Sequence, residues 1–396
     1  MAALQMNKKI EIVQKIDGYS KQAISQHNNA FSYIIGNNGT GKSRLLNELA
    51  AHFNNEPVIN AVLCITNVVY DKFIAEGSKI KYLGLRSVNN AIFFSAIERT
   101  TCAYILECLL NNSLDILEHN LSCKFHFKIN EPKNKNDISS YYDNRKTKKK
   151  SVDEFISKSQ VETLLGLVGK EIKFSSLDNH QINSLHAFMR LNPQTIEVYV
   201  QKNDVMHIFA DLSSGEQNRI LLSSKILSNI KNNSIVIIDE PEISLHLHWQ
   251  LDFHNFINTI ISKYHGVLVI IATHSPIIVS EAYKNERTCT LVILEKQPLY
   301  NDDIDYREPD LSRESSFDKI ILDFFNTATY HSRTIDEQIA RILTNANPED
   351  NIETSIKRLI SLQEKTKGLG RKKQLIERAI DVLKAPHLTK PGANND

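Results

Sequence analysis

The sequence predicts an α/β fold with a largely parallel sheet, and three observations carry that expectation. Residues 36–43 read Gly-Asn-Asn-Gly-Thr-Gly-Lys-Ser, the spacing G-x-x-x-x-G-K-[ST]. Ser234–Glu240 is an unbroken apolar run that closes on two carboxylates, Asp239 and Glu240. Val267–Ala272 is a second such run, followed by Thr273, His274, Ser275 and Pro276. Continuous apolar strands suit a sheet covered on both faces, and in such sheets the chemistry gathers at the carboxyl ends of the strands.

The first motif is a phosphate cradle. Its glycines let the backbone turn tightly enough to aim successive N–H groups at a polyphosphate. Lys42 can reach the β- and γ-phosphates, and the Ser43 hydroxyl can hold Mg²⁺. Context agrees: Phe31–Ile35 is a short apolar run ending at the loop, and Lys42–Phe53 has the periodicity of an amphipathic helix whose N-terminus would face the phosphates.

The chain of 396 residues is long enough for one large core or two modest ones. A net charge of +1 gives no global field toward nucleic acid or membrane, so any such contact must be local. No N-terminal apolar segment reads as a secretion signal, and no apolar run is long enough to span a bilayer. Five scattered cysteines without a C-x-x-C pair fit a reduced, cytoplasmic protein with no zinc module.

Four regions are expected. Residues 1–84 form the first lobe, with a strand at Lys8–Val13, the phosphate loop and a strand pair over Val58–Tyr70. Residues 85–203 form a mostly helical insertion, with helical periodicity at Val88–Asn112, Asp115–His119 and Asp153–Asn192, then a strand pair at Thr195–Tyr199 and Asp204–Phe209. Within it, residues 130–151 are rich in Asn, Lys, Asp and Ser and end in the basic segment Arg145–Lys150. That segment reads as a mobile, solvated tip or as a finger touching nucleic-acid phosphates, although no aromatic residue interleaves the lysines to stack on bases. Residues 204–300 form the second lobe. Residues 301–396 are an acidic linker followed by amphipathic helices and a Pro-containing tail.

Leu212-Ser-Ser-Gly-Glu-Gln217 precedes a helix expected over Asn218–Ile230. It places serines, a glycine and free N–H groups at a positive helix end, a second anion site. The same residues also make an N-terminal capping box, and both readings hold together. One nucleotide needs one cradle, so a second points to two chains sharing each nucleotide. At the other end of the argument, Asp239 would hold Mg²⁺ and Glu240 would polarise the water attacking the γ-phosphate. His274, just past a strand end, is placed to sense that phosphate.

The order Gly36–Ser43, Leu212–Gln217, Ile235–Glu240, His274 resembles the ATP-binding cassette ATPase head. The wording Asp239-Glu-Pro-Glu-Ile-Ser-Leu-His246, Trp249-Gln250 and Thr273-His-Ser-Pro276, with the long insertion, is most similar to the RecF, SMC and OLD-like branch. The resemblance covers roughly residues 8–55 and 204–295. It implies a P-loop NTPase fold with a helical insertion and a helical C-terminal tail. It implies ATP bound by Gly36, Asn37, Asn38, Gly39, Thr40, Gly41, Lys42, Ser43 and Arg44, and Mg²⁺ held by Ser43 and Asp239. Glu240 would be the catalytic base, aided by Lys42 and the switch residue His274. Ser213, Ser214, Gly215 and Glu216 would cap the nucleotide of a second chain, and Glu242–His246 would form the dimer-facing loop. Such heads carry a glutamine loop contacting Mg²⁺, yet none of Gln160, Gln181, Gln194 and Gln201 has a convincing context.

These features imply Mg²⁺-dependent ATP hydrolysis by a head-to-tail homodimer or larger homo-oligomer. Compact size and the lack of a coiled coil resemble the stand-alone ATPases of bacterial anti-phage systems, of the Septu PtuA or PARIS type, in which the ATPase holds a separate nuclease or toxin effector. Two rivals stand beside this: a RecF-like repair ATPase acting on DNA, and a non-hydrolysing, ATP-locked scaffold. A fused nuclease is not expected. Glu295 and Asp303-Ile-Asp305 imitate its carboxylate pattern but lie too close for an intervening helix. His246-Leu-His248 is not expected to bind metal, since i and i+2 point to different faces of a helix.

Overall fold

The computed structural model describes residues 8–37, 39–66, 76–84, 94–130, 156–190, 196–243, 245–284, 288–295, 305–308, 320–322, 333–344, 352–365 and 370–384. The chain divides into two compact units, Met1–Glu308 and Pro309–Asp396. Asn38, the Gln194 position and the basic segment Arg145–Lys150 lie outside the described residues, as does most of 130–151.

In chain order the first unit begins with α1 (Lys8–Ser25), β1 (Ala30–Gly36), α2 (Lys42–Asn55), β2 (Ala61–Thr66) and β3 (Ile80–Tyr82). The insertion supplies α3 (Phe94–Leu110), α4 (Leu114–Leu121), β4 (Lys124–Ile129), α5 (Lys158–Leu167), β5 (Glu171–Lys173), α6 (Asn179–Arg190), β6 (Ile196–Lys202) and β7 (Val205–Ile208). The second lobe supplies α7 (Ser214–Leu227), β8 (Ser234–Asp239), α8 (Leu247–Leu251), α9 (Phe253–Ile260), β9 (Leu268–Thr273), α10 (Pro276–Lys284), β10 (Thr288–Glu295) and β11 (Asp305–Arg307).

The main sheet has the order β11-β10-β1-β9-β8-β2-β3. All its pairs are parallel except β10 with β11. Every residue of β1, β2, β8 and β9 is buried, as continuous apolar runs require. One face carries α1 and α2, whose Ile12, Ile16, Leu45, Leu49 and Phe53 pack on Ile34, Ile235, Ile270 and Val292. The alternate residues of β1 point the other way, where Phe31 stacks on His254 of α9 and the Tyr33 hydroxyl meets His254 Nδ1 at 2.6 Å. This is a three-layer α/β architecture, that of a P-loop NTPase. Register aligns the strand ends that matter: Ile35 lies beside Thr273, Ala272 beside Asp239, and Asp239 beside Thr66.

Three expectations are corrected. Lys8–Val13 is not a strand but the start of α1; its Ile12 and Ile16 recur at helical spacing with Ala23 further on, a period that a six-residue window cannot resolve. Val58–Tyr70 gives one described strand, β2, whose neighbours β8 and β3 come from elsewhere. The insertion carries the helices α3 to α6 and, beside them, the strands β4, β5 and β6, which join β7 in a four-stranded antiparallel sheet of order β5-β4-β6-β7; the expected hairpin at 195–209 is β6 and β7. The boundary expected at residue 300 falls at Glu308, since Asp305–Arg307 completes the main sheet against β10.

The second unit contains α11 (Arg333–Thr344), α12 (Ile352–Lys365) and α13 (Gly370–Lys384). These amphipathic helices bury Ile335, Ile339, Leu359, Leu362, Ile376 and Ile380 together, and Lys372 is ion-paired to both oxygens of Asp336 at 2.6 Å. Among the described residues no helix is long and apolar enough to cross a membrane. Cys64, Cys102, Cys108 and Cys123 are buried free thiols, all pushed upward in pKa by loss of solvent.

Candidate nucleotide site

The loop after β1 turns through left-handed backbone at Gly39 (φ 82°) and Gly41 (φ 96°), a region open to glycine at little cost. Gly41 is the N-cap residue of α2, so the helix begins at Lys42 and its free N–H groups face the loop. Thr40 steadies the turn by donating from its hydroxyl to the Asn37 carbonyl at 2.9 Å. Arg44 is exposed on the first turn of α2.

Lys42 is buried. Its ammonium donates to the Gly36 carbonyl at 2.9 Å and stands 2.6 Å from His274 Nε2 and 3.8 Å from Glu240 Oε1. Burial lowers its pKa, partly offset by the nearby carboxylates of Glu240, Asp239 and Glu242.

Asp239 ends β8 on the same edge. Ser43 donates its hydroxyl to Asp239 Oδ2 at 3.2 Å, while Asp239 Oδ1 is buried with no hydrogen-bond partner among the described residues. Burial, then repulsion from Glu240, pushes the Asp239 carboxyl up to about 6. A buried carboxylate oxygen without a donor is costly unless something positive fills the gap. A hydroxyl and a carboxylate meeting there are the hard oxygen ligands that Mg²⁺ prefers, so these residues fit that ion.

Glu240 follows with φ 50°, a left-handed conformation that costs a non-glycine residue on the order of 1 kcal/mol. The strained turn is fixed by the Glu240 N–H donating to Ala272 at 2.9 Å. Its carboxylate stands 2.8 Å from His274 Nε2, and this contact, ahead of the Lys42 charge, lowers its pKa. His274 Nε2 therefore lies between an ammonium and a carboxylate. One ring nitrogen has either a proton or a lone pair to offer, so it serves one of them at a time.

Glu242 has a role that the motif order alone does not assign. It accepts from the Thr273 hydroxyl at 2.9 Å and from the His274 backbone N–H, fastening the end of β9. Gln250 continues the brace, accepting from the Ser275 hydroxyl at 2.6 Å and donating to the Leu245 carbonyl at 2.9 Å. Both residues stand within the recognisable wording of this segment, but only the fold shows what they hold. Among the described residues the missing glutamine-loop role finds no occupant: Gln160 caps α5, Gln181 bonds around Asp178, and Gln201 lies in β6. Ser244 of the Glu242–His246 loop lies outside the described residues.

The serine-glycine segment opens α7 and uses a different set of partners. Ser213 is the N-cap, its hydroxyl accepting from the Glu216 N–H and donating to Glu216 Oε2 at 2.8 Å. Lys202, at the end of β6, holds the other oxygen of Glu216 at 2.6 Å. That ion pair, then the Ser213 hydroxyl, draws the Glu216 carboxyl down to about 2. Ser213 and Ser214 are exposed, and Gly215 is buried against Trp249, where a Cβ would stand 2.4 Å from the indole ring. Asn218 donates to the Ile243 carbonyl at 3.3 Å. The segment following Glu240 is thus packed on the start of the chain's own α7. Lys42, Ser43, Asp239, Glu240 and His274 form one cluster; Ser213 and Glu216 bond to each other and to Lys202, forming another.

Comparison with known families agrees with this class of fold. A family model described as "AAA domain, putative AbiEii toxin, Type IV TA system" matches residues 132–280. The match takes in Ser213–Glu216, Asp239, Glu240 and His274 and stops short of the phosphate loop. It supports a P-loop ATPase of the AAA/ABC kind. No curated protein matches the chain.

Proposed function

We propose that the chain is a Mg²⁺-dependent ATPase that works as a head-to-tail pair, with Ser213–Glu216 of one copy covering the γ-phosphate bound by the other. One observation carries the reading: α2 and α7 both open on a helix N-terminus of the kind that suits an anion, and Ser213 and Ser214 are exposed with no hydrogen bond to the Lys42 cluster among the described residues. A helix N-terminus with exposed serines beside it favours a phosphate.

The residues divide the work as follows. Backbone N–H groups around Gly39–Ser43 cradle the phosphates, and Lys42 leaves the Gly36 carbonyl for the β- and γ-oxygens. Ser43 and Asp239 would hold Mg²⁺, which would supply charge neutralisation at the phosphates. Once Lys42 is drawn away, His274 Nε2 is left to Glu240, whose ionised carboxylate orients and deprotonates the attacking water. Trp249 and Ile243 link this strand end to the start of the chain's own α7, whose opening Leu212–Gln217 is the signature segment, so occupancy of one site is felt at the surface offered to the next copy.

ATP-driven pairing would control a separate nuclease or toxin effector in bacterial anti-phage defence. The toxin and Type IV TA wording of the matched family supports that context. Glu240→Gln with ATP–Mg²⁺ is the test. Sedimentation should show a stable dimer of the 45.1 kDa chain that retains ATP, with hydrolysis reduced on the order of 100-fold or more. A monomer with bound ATP, or unchanged turnover, contradicts the assignment. Co-purification of the same variant from its host then asks for the effector.

A further inference from the structure

On the opposite end of α2 from the phosphate loop, His52 and Glu56 stand one turn apart and face Asp17 of α1. We propose that Asp17, His52 and Glu56 bind a single divalent transition-metal ion of the zinc type, which fastens the end of α2 to α1.

The geometry carries this. One ligand atom from each of the three residues lies within 4.8 Å of the others. His52 Nε2 is 3.5 Å from Asp17 Oδ1 and 3.7 Å from Glu56 Oε1. Those distances are long for hydrogen bonds but close to the spacing of about 3.3 Å between neighbouring ligands of a tetrahedral zinc ion with bonds near 2.0–2.1 Å. The His52 side chain is 30% exposed, but its Nε2 is buried and has no hydrogen-bond partner among the described residues. A ring nitrogen placed between two carboxylate oxygens, with neither in bonding range, is what a shared cation would resolve.

The surrounding charges fit. Lys21 is bonded to Asp17 Oδ2 and lies 3.8 Å from Glu56 Oε2, so it occupies the outer oxygens and leaves Oδ1 and Oε1 turned toward the imidazole. Outer partners of this kind orient ligating carboxylates. Two carboxylates and one ammonium leave one net negative charge for a dication to meet. Imidazole with carboxylates and no thiolate favours zinc over the all-oxygen sets chosen by Mg²⁺. Three protein ligands leave a fourth position for water. Because α2 begins at Lys42 and Ser43, the ion would brace the phosphate-loop helix from behind.

The test uses the full chain, freed of metal by chelation and titrated with ZnCl₂ in excess Mg²⁺, with binding read by calorimetry and stability by thermal unfolding. CoCl₂ adds a direct readout, since four-coordinate Co²⁺ absorbs far more strongly in the visible than the six-coordinate ion. One ion per chain, a raised unfolding temperature and an intense Co²⁺ band are expected for the wild type and equally for Asp239→Asn. Glu56→Gln and His52→Ala should each weaken binding by at least about tenfold. Unfolding in chelator controls for loss of fold in the variants, and Glu56→Gln, which keeps size and helix propensity, is the milder change. No Zn²⁺ binding, a six-coordinate Co²⁺ spectrum, or binding unaltered by both variants would overturn the site. Equal loss in Asp239→Asn would place the ion at the nucleotide site instead.

Discussion

Replacing Asp239 with asparagine should stabilise the protein while removing its activity. Asp239 is 3% exposed, with one oxygen unpartnered, a second carboxylate beside it, and only the Ser43 hydroxyl and the Lys42 charge in compensation. Its carboxyl is pushed from 3.8 to about 6. In the folded chain it thus binds a proton more tightly than in the unfolded chain. That preference favours the fold below about pH 4 and is lost as pH rises to about 6. Two pKa units correspond to about 3 kcal/mol, absent from the metal-free protein at neutral pH. Asparagine has no charge to lose and can still accept from Ser43, although its amide must also be desolvated. Metal-free Asp239→Asn should therefore be more stable than wild type at pH 7 by about 1–3 kcal/mol, raising the unfolding temperature by roughly 2–4 °C per kcal/mol. The gap should close toward pH 4, and Mg²⁺ with ADP should stabilise only the wild type. Thermal unfolding in chelator across this pH range is the assay. A variant less stable than wild type at pH 7, or a gap independent of pH, would refute the reasoning.

Two further outcomes follow from contacts around the site. Glu242→Gln weakens the hold on Thr273 and the His274 N–H, so kcat should fall about tenfold with KM little changed, as expected when an orienting group rather than a binding group is lost; a rise in KM alone would speak against it. Gly215→Ala sets a methyl group against Trp249, so the start of α7 must shift. ATP-dependent pairing should fail while fluorescent-nucleotide binding to the single chain persists, and loss of both would show that the segment serves its own chain's nucleotide.

Much of the site could be read before the fold because its parts are local. Gly36–Ser43 is a contiguous loop, and Asp239, Glu240 and His274 each terminate an unbroken apolar strand, so the parallel sheet brings them to one edge. The contributions that escaped reading join distant segments. Glu242 acts on Thr273, 31 residues later at the end of β9, and Lys202 reaches Glu216 at the start of α7 from the inserted sheet. Glu242 stands in recognisable wording that does not say what it holds, and Lys202 has no local signal beyond its charge. Lys8–Val13 misled because Lys9, Ile10, Glu11 and Ile12 alternate with a period of two over four residues, while the helix declares itself only through Ile16 and Ala23. The inserted sheet was half visible: β6 and β7 share a tight turn, whereas β4 and β5 pair across long separations whose partners no local pattern names.

Mixing two inactive variants tests the shared site most directly. Glu240→Gln keeps its signature but cannot activate water; Ser214→Arg keeps its catalytic edge but cannot receive a partner's γ-phosphate. In a mixed pair, the Ser214→Arg chain's nucleotide meets an intact signature from the Glu240→Gln chain, restoring one complete site. The account predicts ATP hydrolysis well above the sum of the two variants measured apart. Activity that stays at that sum, with mixed pairs shown to form, would mean that one chain alone completes its nucleotide site.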